Sequence, residues 1–363
     1  MRTDRSAEDI FSIATAGETV PKALGFHFPA EFAPHQATWL SWPHKEASWP
    51  GKIHTVYGPY AEFIKQVAKG EEVHINVAGA DMQAFALGHL QNVGADLSKI
   101  FFHHFPTNDA WCRDHGPAFL INPNAPQKKV AVKWNYNAWG DKYPPFDLDN
   151  EIPIKIAEFR NIPCFKPGII MEGGAVEFNG KGTLLTSEAC LLNPNRNPHL
   201  DQSEIESYLR GYYGVENILW LKDGIVGDDT DGHIDDLTRF VNADTVVTVV
   251  EANKSDENYG ILQENLKLLH QLRLENGKQI NVVELPMPGP VVYEDQRLPA
   301  SYANFYIANH AVIVPTFRDP NDAVALDILS GCFKDRQVIG IDSLDIIWGL
   351  GSFHCLSQQE PFV

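Results

Sequence analysis

Four short polar clusters recur along this chain at nearly one period, and that constrains its fold more than any other feature. They are Trp111-Cys112-Arg113-Asp114, Glu172-Gly173-Gly174, His233-Ile234-Asp235 and His354-Cys355. From Asp114 to Glu172 is 58 positions, from Glu172 to Asp235 is 63, and from Asp235 to Cys355 is 120, about twice that step. Between them helix and strand signals alternate. Tyr60 to Lys69 reads as a helix closed by Gly70 and followed by a strand at Val73–Val77; Asp81 to Val93 reads as a second, closed by Gly94, with a strand at Ile100–Phe102. Asp201 with Glu204 forms a capping-box pattern opening a helix to Arg210, ahead of the strand Ile218–Leu221. Glu257 to Leu274 and Asp322 to Leu329 read as further helices, with strands near Val282-Val283 and Val338-Ile339. Asn179-Gly180 marks a hairpin between Ala175–Phe178 and Thr183–Thr186. The expectation is an α/β fold of repeated units, each pointing one loop at a common centre. The plainer alternative is that polar residues follow strands in any α/β protein.

Of 363 residues, 44% are hydrophobic and 21% charged, enough to bury a substantial core. The opening Met1-Arg2-Thr3-Asp4-Arg5 precedes no apolar run of signal-peptide length, and segments such as Val246–Val250 are too short to cross a bilayer. Five cysteines, an odd number in a long chain, fit reduced thiols. These features predict a cytoplasmic protein. With 29 basic and 47 acidic side chains the net charge is −18, which argues against nucleic acid or anionic membrane as a partner; it is compatible with a cationic small molecule, though charge alone points first to an acidic surface that keeps the chain in solution.

Cys355 follows the Gly-rich Trp348–Phe353 and precedes a polar stretch, a context that fits a nucleophile or a structural thiol. Cys164 and Cys332 read as structural. His354 is set aside as its base, because neighbours on an extended segment point to opposite faces; His233, 122 residues upstream, is the candidate. Glu172 lies in an apolar stretch, where a carboxylate is costly unless paired. Asp114 has Arg113 as an ordinary internal partner, and Asp235 could equally cap a helix. Three carboxylates about one thiol would oppose an oxyanion but match the donor forks of a guanidinium. They would also keep the thiol protonated until such a cation arrives. A metal site is the rival. Gly227–Thr238 resembles a calcium loop, yet its first and twelfth positions are Gly227 and Thr238, so the pattern fails. A transition metal on His233 and Asp235 stays an alternative. Gly349-Leu350-Gly351 opens no phosphate motif, and no cofactor is expected.

At these residues the sequence resembles the agmatine deiminase branch grouped with Porphyromonas-type peptidyl-arginine deiminases. The matching pieces run in order: Phe28–His35 with Trp39–Pro43, Trp111–Pro117, Glu172–Gly174, Leu191–Pro198, Asp229–Asp235, Pro299–Asn304 and His354–Gln359. The resemblance implies a five-bladed pseudo-symmetric α/β propeller of the guanidine-modifying, pentein-like type. It implies a single catalytic domain over 1–363, with residues 1–24 an N-terminal arm, and deimination of agmatine to N-carbamoylputrescine and ammonia in putrescine (polyamine) biosynthesis. Peptidyl-arginine or free-arginine deimination by the same chemistry is the alternative, and a metal-dependent hydrolase a more distant one. By motif, Cys355 is the nucleophile and His233 the general acid and base. Asp114, Glu172 and Asp235 hold the guanidinium, and Trp111 belongs to the substrate pocket. Neither metal nor cofactor is implied, and a homo-oligomer is. Leu356-Ser357 stands where Ile-Thr is more usual, and Asp236 where agmatine-specific members often carry Asn.

Overall fold

The computed structural model describes residues 6–17 and 19–363. Met1–Arg5, where the signal-peptide reading fell, lie outside them. Five sheets share one plan: an antiparallel pair, then a helix, then a strand parallel to the second member of the pair. In chain order the second to fifth are built on Ala118–Ile121, Lys129–Val132 and Cys164–Phe165; on Val176–Phe178, Thr183–Ser187 and Asn217–Leu221; on Thr238–Phe240, Thr245–Val250 and Asn281–Pro286; and on Tyr306–Ile307, Ala311–Thr316 and Gln337–Asp342. The first sheet takes its antiparallel edge from the other end of the chain. Ser357–Pro361 pairs with His35–Ser41, which runs parallel to Glu72–Asn76, and Ile100–His103 adds a fourth strand. The two ends of the chain are thus joined through one ladder.

The intervening helices form where apolar residues recur at helical spacing. In Ile53–Val67 the buried positions Val56, Tyr60, Phe63, Ile64 and Val67 make one stripe. The helix starts seven residues earlier than expected. Pro59 reads as a breaker, but burial of that stripe outweighs the one backbone bond a proline forfeits. The expected helix Glu257–Leu274 ends at Leu269, because Arg273 bridges back to Gln279 around a turn with Gly277 at φ 78°. The capping box Asp201–Glu204 is present and its helix runs on to Tyr213, closed by Gly214 at φ 71°. Within the segment expected to be an arm, Ala7–Ala16 is a helix capped by Ser6 and Asp9, with Ile10 and Ala14 packed into the core beside the second and third sheets.

One carboxylate reaches across these units. Glu31 accepts hydrogen bonds from Arg113 (3.0 Å) just before the second sheet, Arg239 (2.9 Å) in the fourth and the Ile307 amide (2.8 Å) in the fifth; His354 (2.8 Å) beside the first sheet pairs with it. Arg239, wholly buried, also grips Glu177 of the third sheet at 2.8 Å and the carbonyls of Ala303 and Phe305. Burial works against a charge on Glu31, but Arg239, His354 and Arg113 hold it well below the usual carboxylate range. Replacing Glu31 by Gln leaves two guanidinium groups short of a counter-charge in a dry interior, a loss of about 3–5 kcal/mol. Because the folded-state pKa is depressed, this stability is complete above the unfolded value and disappears as pH falls through the folded one. Denaturant unfolding of wild type and Glu31→Gln should therefore show the full gap at neutral pH and a narrowing gap below about pH 4.

Candidate active site

The residues that ended the sequence clusters all stand at one kind of position, two to four residues before the first strand of a sheet. Asp114 precedes Ala118–Ile121, Glu172 precedes Val176–Phe178, Asp235 precedes Thr238–Phe240 and Cys355 precedes Ser357–Pro361. The double step between Asp235 and Cys355 is filled by Asn304, two residues before Tyr306–Ile307. Its side chain donates to Asp236 Oδ1 (2.9 Å) and to Cys355 Sγ (3.0 Å), while its own oxygen accepts from the Ser352 and Cys355 amides. Asn304 closes one of the sequence pieces, and the missing repeat was the signal for it.

The structure brings the expected site residues together. Asp235 Oδ2 lies 3.5 Å from Cys355 Sγ and 2.6 Å from His354 Nδ1. His233 places Nδ1 3.9 Å from Asp114 Oδ1 and Nε2 3.7 Å from Glu172 Oε2. Gly174 shows how tight the junction is: a Cβ there would stand 2.5 Å from His233 Nδ1, 2.9 Å from Asp114 Oδ1 and 3.0 Å from Asp235 Oδ2. Only a residue without a side chain lets three sheets deliver these groups to one point. Asp114 is held by the Gly174 amide and by the Trp139 indole N–H, both at 2.9 Å. Both ring nitrogens of His233, and Asp235 Oδ1, are buried and have no hydrogen-bond partner among the described residues. Buried polar atoms are nearly always paired, so three orphans in one group of residues mark a place for a polar ligand.

Asp114, Trp111 and Cys355 line a pocket of about 890 Å3, measured to its open mouth. Its other walls are aromatic (Trp139, Tyr143, Tyr293, Trp348) and acidic (Asp109, Asp229). Glu172, His233 and Asp235 sit behind this wall, each with no exposed surface. Glu172 is already paired: Arg196 Nε donates to its Oε1 at 2.7 Å, leaving Oε2 towards His233.

Two sequence readings need correction. Arg113 does not pair with Asp114 but turns away to Glu31 and Gln359, since Asp114 is satisfied by Gly174 and Trp139. His354 and Cys355 do not lie on an extended segment. They sit in a turn, and both side chains reach Asp235. The left-handed residue before the thiol is Leu350, at φ 70°, and the glycines on either side of it have another task. They provide space instead: a Cβ on Gly351 would meet the Trp111 ring at 2.6 Å and Cys355 Sγ at 3.2 Å, and one on Gly349 the Trp49 and Trp111 rings.

Electrostatics follows from this packing. Burial, then Asp235, Asp236 and Asp114, push the Cys355 thiol well above its ordinary value. Burial opposes a charge on His233, but Asp114, then Cys190 and Glu172, raise it well above 6.5, which favours the imidazolium. Burial raises Glu172, yet Arg196 holds it below its ordinary value; Asp235 is held down against its burial by His354. Alone, then, the site pairs a neutral thiol with an imidazolium. Alkylation of Cys355, followed by mass spectrometry of its peptide, should be much slower at about pH 7 than for a free thiol. It should still be climbing above roughly pH 8.5, where a free thiol levels off. A plateau reached near neutral pH would show a preformed thiolate.

The sequence profile of the family described as Porphyromonas-type peptidyl-arginine deiminase matches residues 27–361. The agmatine deiminase of Ectopseudomonas mendocina (strain ymp) is 34% identical over 366 residues, covering 94% of this chain and 97% of that protein. A solved structure described as agmatine deiminase of Enterococcus faecalis catalyzing its reaction superposes with a TM-score of 0.89 at 30% identity, covering 94% of this chain and 98% of that one. An amidinotransferase from Microseira wollei, at 11% identity and TM-score 0.52, shares the fold over 92% of this chain and 96% of its own.

Proposed function

The chain belongs to the Porphyromonas-type peptidyl-arginine deiminase family, and from that membership we propose that it hydrolyses agmatine to N-carbamoylputrescine and ammonia, a step of putrescine biosynthesis. The observation that carries the substrate choice is the charge of the pocket. It presents Asp109, Asp114 and Asp229 and, among the described residues, no arginine; its one cation, Lys45, stands 3.4 Å from Asp109. Arg113, Arg196 and Arg239, which might have received a substrate carboxylate, are each buried and paired with acids. A dication with no carboxylate fits. Free arginine would bring an anion against these acids, and an unpaired buried charge costs about 3–5 kcal/mol. Trp139, Tyr143 and Trp348 suit the methylene chain, and Asp229, hydrogen-bonded by the Tyr143 hydroxyl, suits the far ammonium. Asp236 does not line this pocket; it bonds to Asn304 behind the thiol, which removes it from the choice between agmatine and arginine.

The reaction runs in two displacements. The guanidinium settles between Asp114 and Asp235, and its charge lowers the pKa of the Cys355 thiol beside it. The thiolate attacks the guanidinium carbon and His233 gives its proton to the departing amino group, which leaves as ammonia. Water then attacks the amidino-thioether, yielding a proton to His233; the C–S bond breaks and a ureido product leaves. Glu172, anchored by Arg196, keeps His233 oriented, and Asn304 holds the sulfur. Trp111, stacked on Trp49 with ring centres 5.3 Å apart, walls the pocket beside the thiol.

The five matching sheets, with the first closed by a strand from the chain's own end, support the further proposal of a five-bladed propeller in one catalytic domain over 1–363. A homo-oligomer and a cytoplasmic location are proposals from family likeness; no described helix is long and apolar enough to cross a membrane.

Turnover of agmatine, arginine and a blocked arginyl peptide, assayed as ureido product at one pH and salt, should give kcat/KM at least about a hundredfold higher for agmatine. Equal values, or preference for the peptide, would move the substrate and leave the chemistry. Cys355→Ser should lose several orders of magnitude in kcat while a chelator changes nothing; the opposite pair of results would favour the metal hydrolase.

Trp139→Phe separates the indole N–H from the ring. Removing one bond to a charged group costs about 1.5–3 kcal/mol, so kcat/KM should fall roughly ten- to a hundredfold with the pocket wall retained. An unchanged value would limit Trp139 to a wall.

A further inference from the structure

Behind the pocket wall lies a group of side chains that the deimination chemistry leaves partly unused. Glu172 Oε2, Cys190 Sγ and one ring nitrogen of His233 lie within 4.8 Å of one another, and all three residues are fully buried. The carboxylate oxygen is 3.9 Å from the sulfur and 3.7 Å from His233 Nε2. A tetrahedral ion with bonds of about 2.0–2.3 Å sets its ligands roughly 3.3–3.8 Å apart, so these edges are close to that spacing. His233 Nε2 has no hydrogen-bond partner among the described residues although it is wholly buried, and it is aimed at this group. Arg196 occupies only Oε1 of Glu172 and is itself balanced by Asp231 at 2.6 Å, so Oε2 stays available. On the far side of the ring, Nδ1 faces Asp114 at 3.9 Å, the kind of acid that orients a metal-bound histidine. Cys190 is held on the one-turn helix Glu188–Leu191, its own amide capped by Ser187.

We propose that Glu172, Cys190 and His233 form an inhibitory site for a borderline-soft divalent cation of the zinc class. One sulfur, one imidazole nitrogen and one carboxylate oxygen select that class over magnesium or calcium, which take oxygen ligands. Binding releases the Cys190 thiol proton and the proton on His233 Nε2. The ion then replaces the Nε2 proton, so Nδ1, which faces Asp114, no longer belongs to an imidazolium able to give up a proton, and the enzyme stops with its nucleophile untouched. The inhibitory half rests on the role proposed for His233; the binding half does not.

Binding is tested on Cys355→Ala protein, where the nucleophile's thiol is gone. Equilibrium dialysis against zinc should load one ion per chain, and cobalt should give a thiolate-to-metal charge-transfer band in the near ultraviolet. Adding Cys190→Ser or Cys190→Ala should remove the band and weaken zinc at least about tenfold. Two replacements guard against a folding defect in either, and a melting curve identifies one. No ion on Cys355→Ala, or unchanged affinity and spectrum after both Cys190 replacements, overturns the proposal. In the otherwise intact enzyme, zinc should stop agmatine turnover, a chelator should restore it, and Cys190→Ser should need at least about ten times more zinc for the same inhibition. Equal sensitivity of the two overturns the inhibitory half. Dialysis and spectrum use metal alone, so they decide the site even where the substrate assignment fails.

Discussion

The Glu31 carboxylate holds the architecture to its function. Its two oxygens are engaged from the first, second, fourth and fifth sheets, and Arg239 carries the contact on to the third. The apolar clusters run between neighbouring units, but non-directional apolar packing does not by itself fix one unit's approach to the next within a few tenths of an ångström. A buried charge with several partners does, because every bond lost exposes an uncompensated ion to a dry interior. The same contacts set the active site. Arg113 and His354, both bound to Glu31, are sequence neighbours of Asp114 and Cys355, so anchoring the hub places that acid and that thiol.

Around that frame the site is arranged as opposing charges at short range. Acids accumulate until the thiol is held neutral and the imidazole charged, a resting state that suits neither alkylating agents nor neutral amides. In the proposed reaction a guanidinium reverses the balance by neutralising Asp114 and Asp235 and lying against the sulfur. The selectivity of such a site comes from its own electrostatic deficit, since only the cation that corrects it creates the nucleophile. The same crowding sets a second thiol, Cys190, and the carboxylate of Glu172 beside His233.

Much of this was legible in the residues. The period near sixty named the pre-strand position in four units. The Asp201–Glu204 capping box and the Asn179-Gly180 hairpin were found where expected, because they depend on neighbours a few positions apart. Asn304 was legible only as a gap in the count. His354 was misread because a local rule, alternation along an extended segment, was applied to a turn. Trp139 carried no signal: its segment runs through left-handed conformations from Ala138 to Asp141, which are uncommon for residues with side chains.

What the sequence determined by itself was therefore the candidate residues and their repeat: a thiol and three acids spaced so that each falls just before the first strand of a unit, with a histidine beside one of them. What only the tertiary structure decided was the pairing of charges. Arg113 could have met Asp114 beside it, and Arg196 or Arg239 could have faced a substrate; instead they bind Glu31, Glu172 and Glu177. Charge pairing is settled by distance in space and by how completely each partner is desolvated. Neither quantity exists until sheets far apart in sequence have closed on one another.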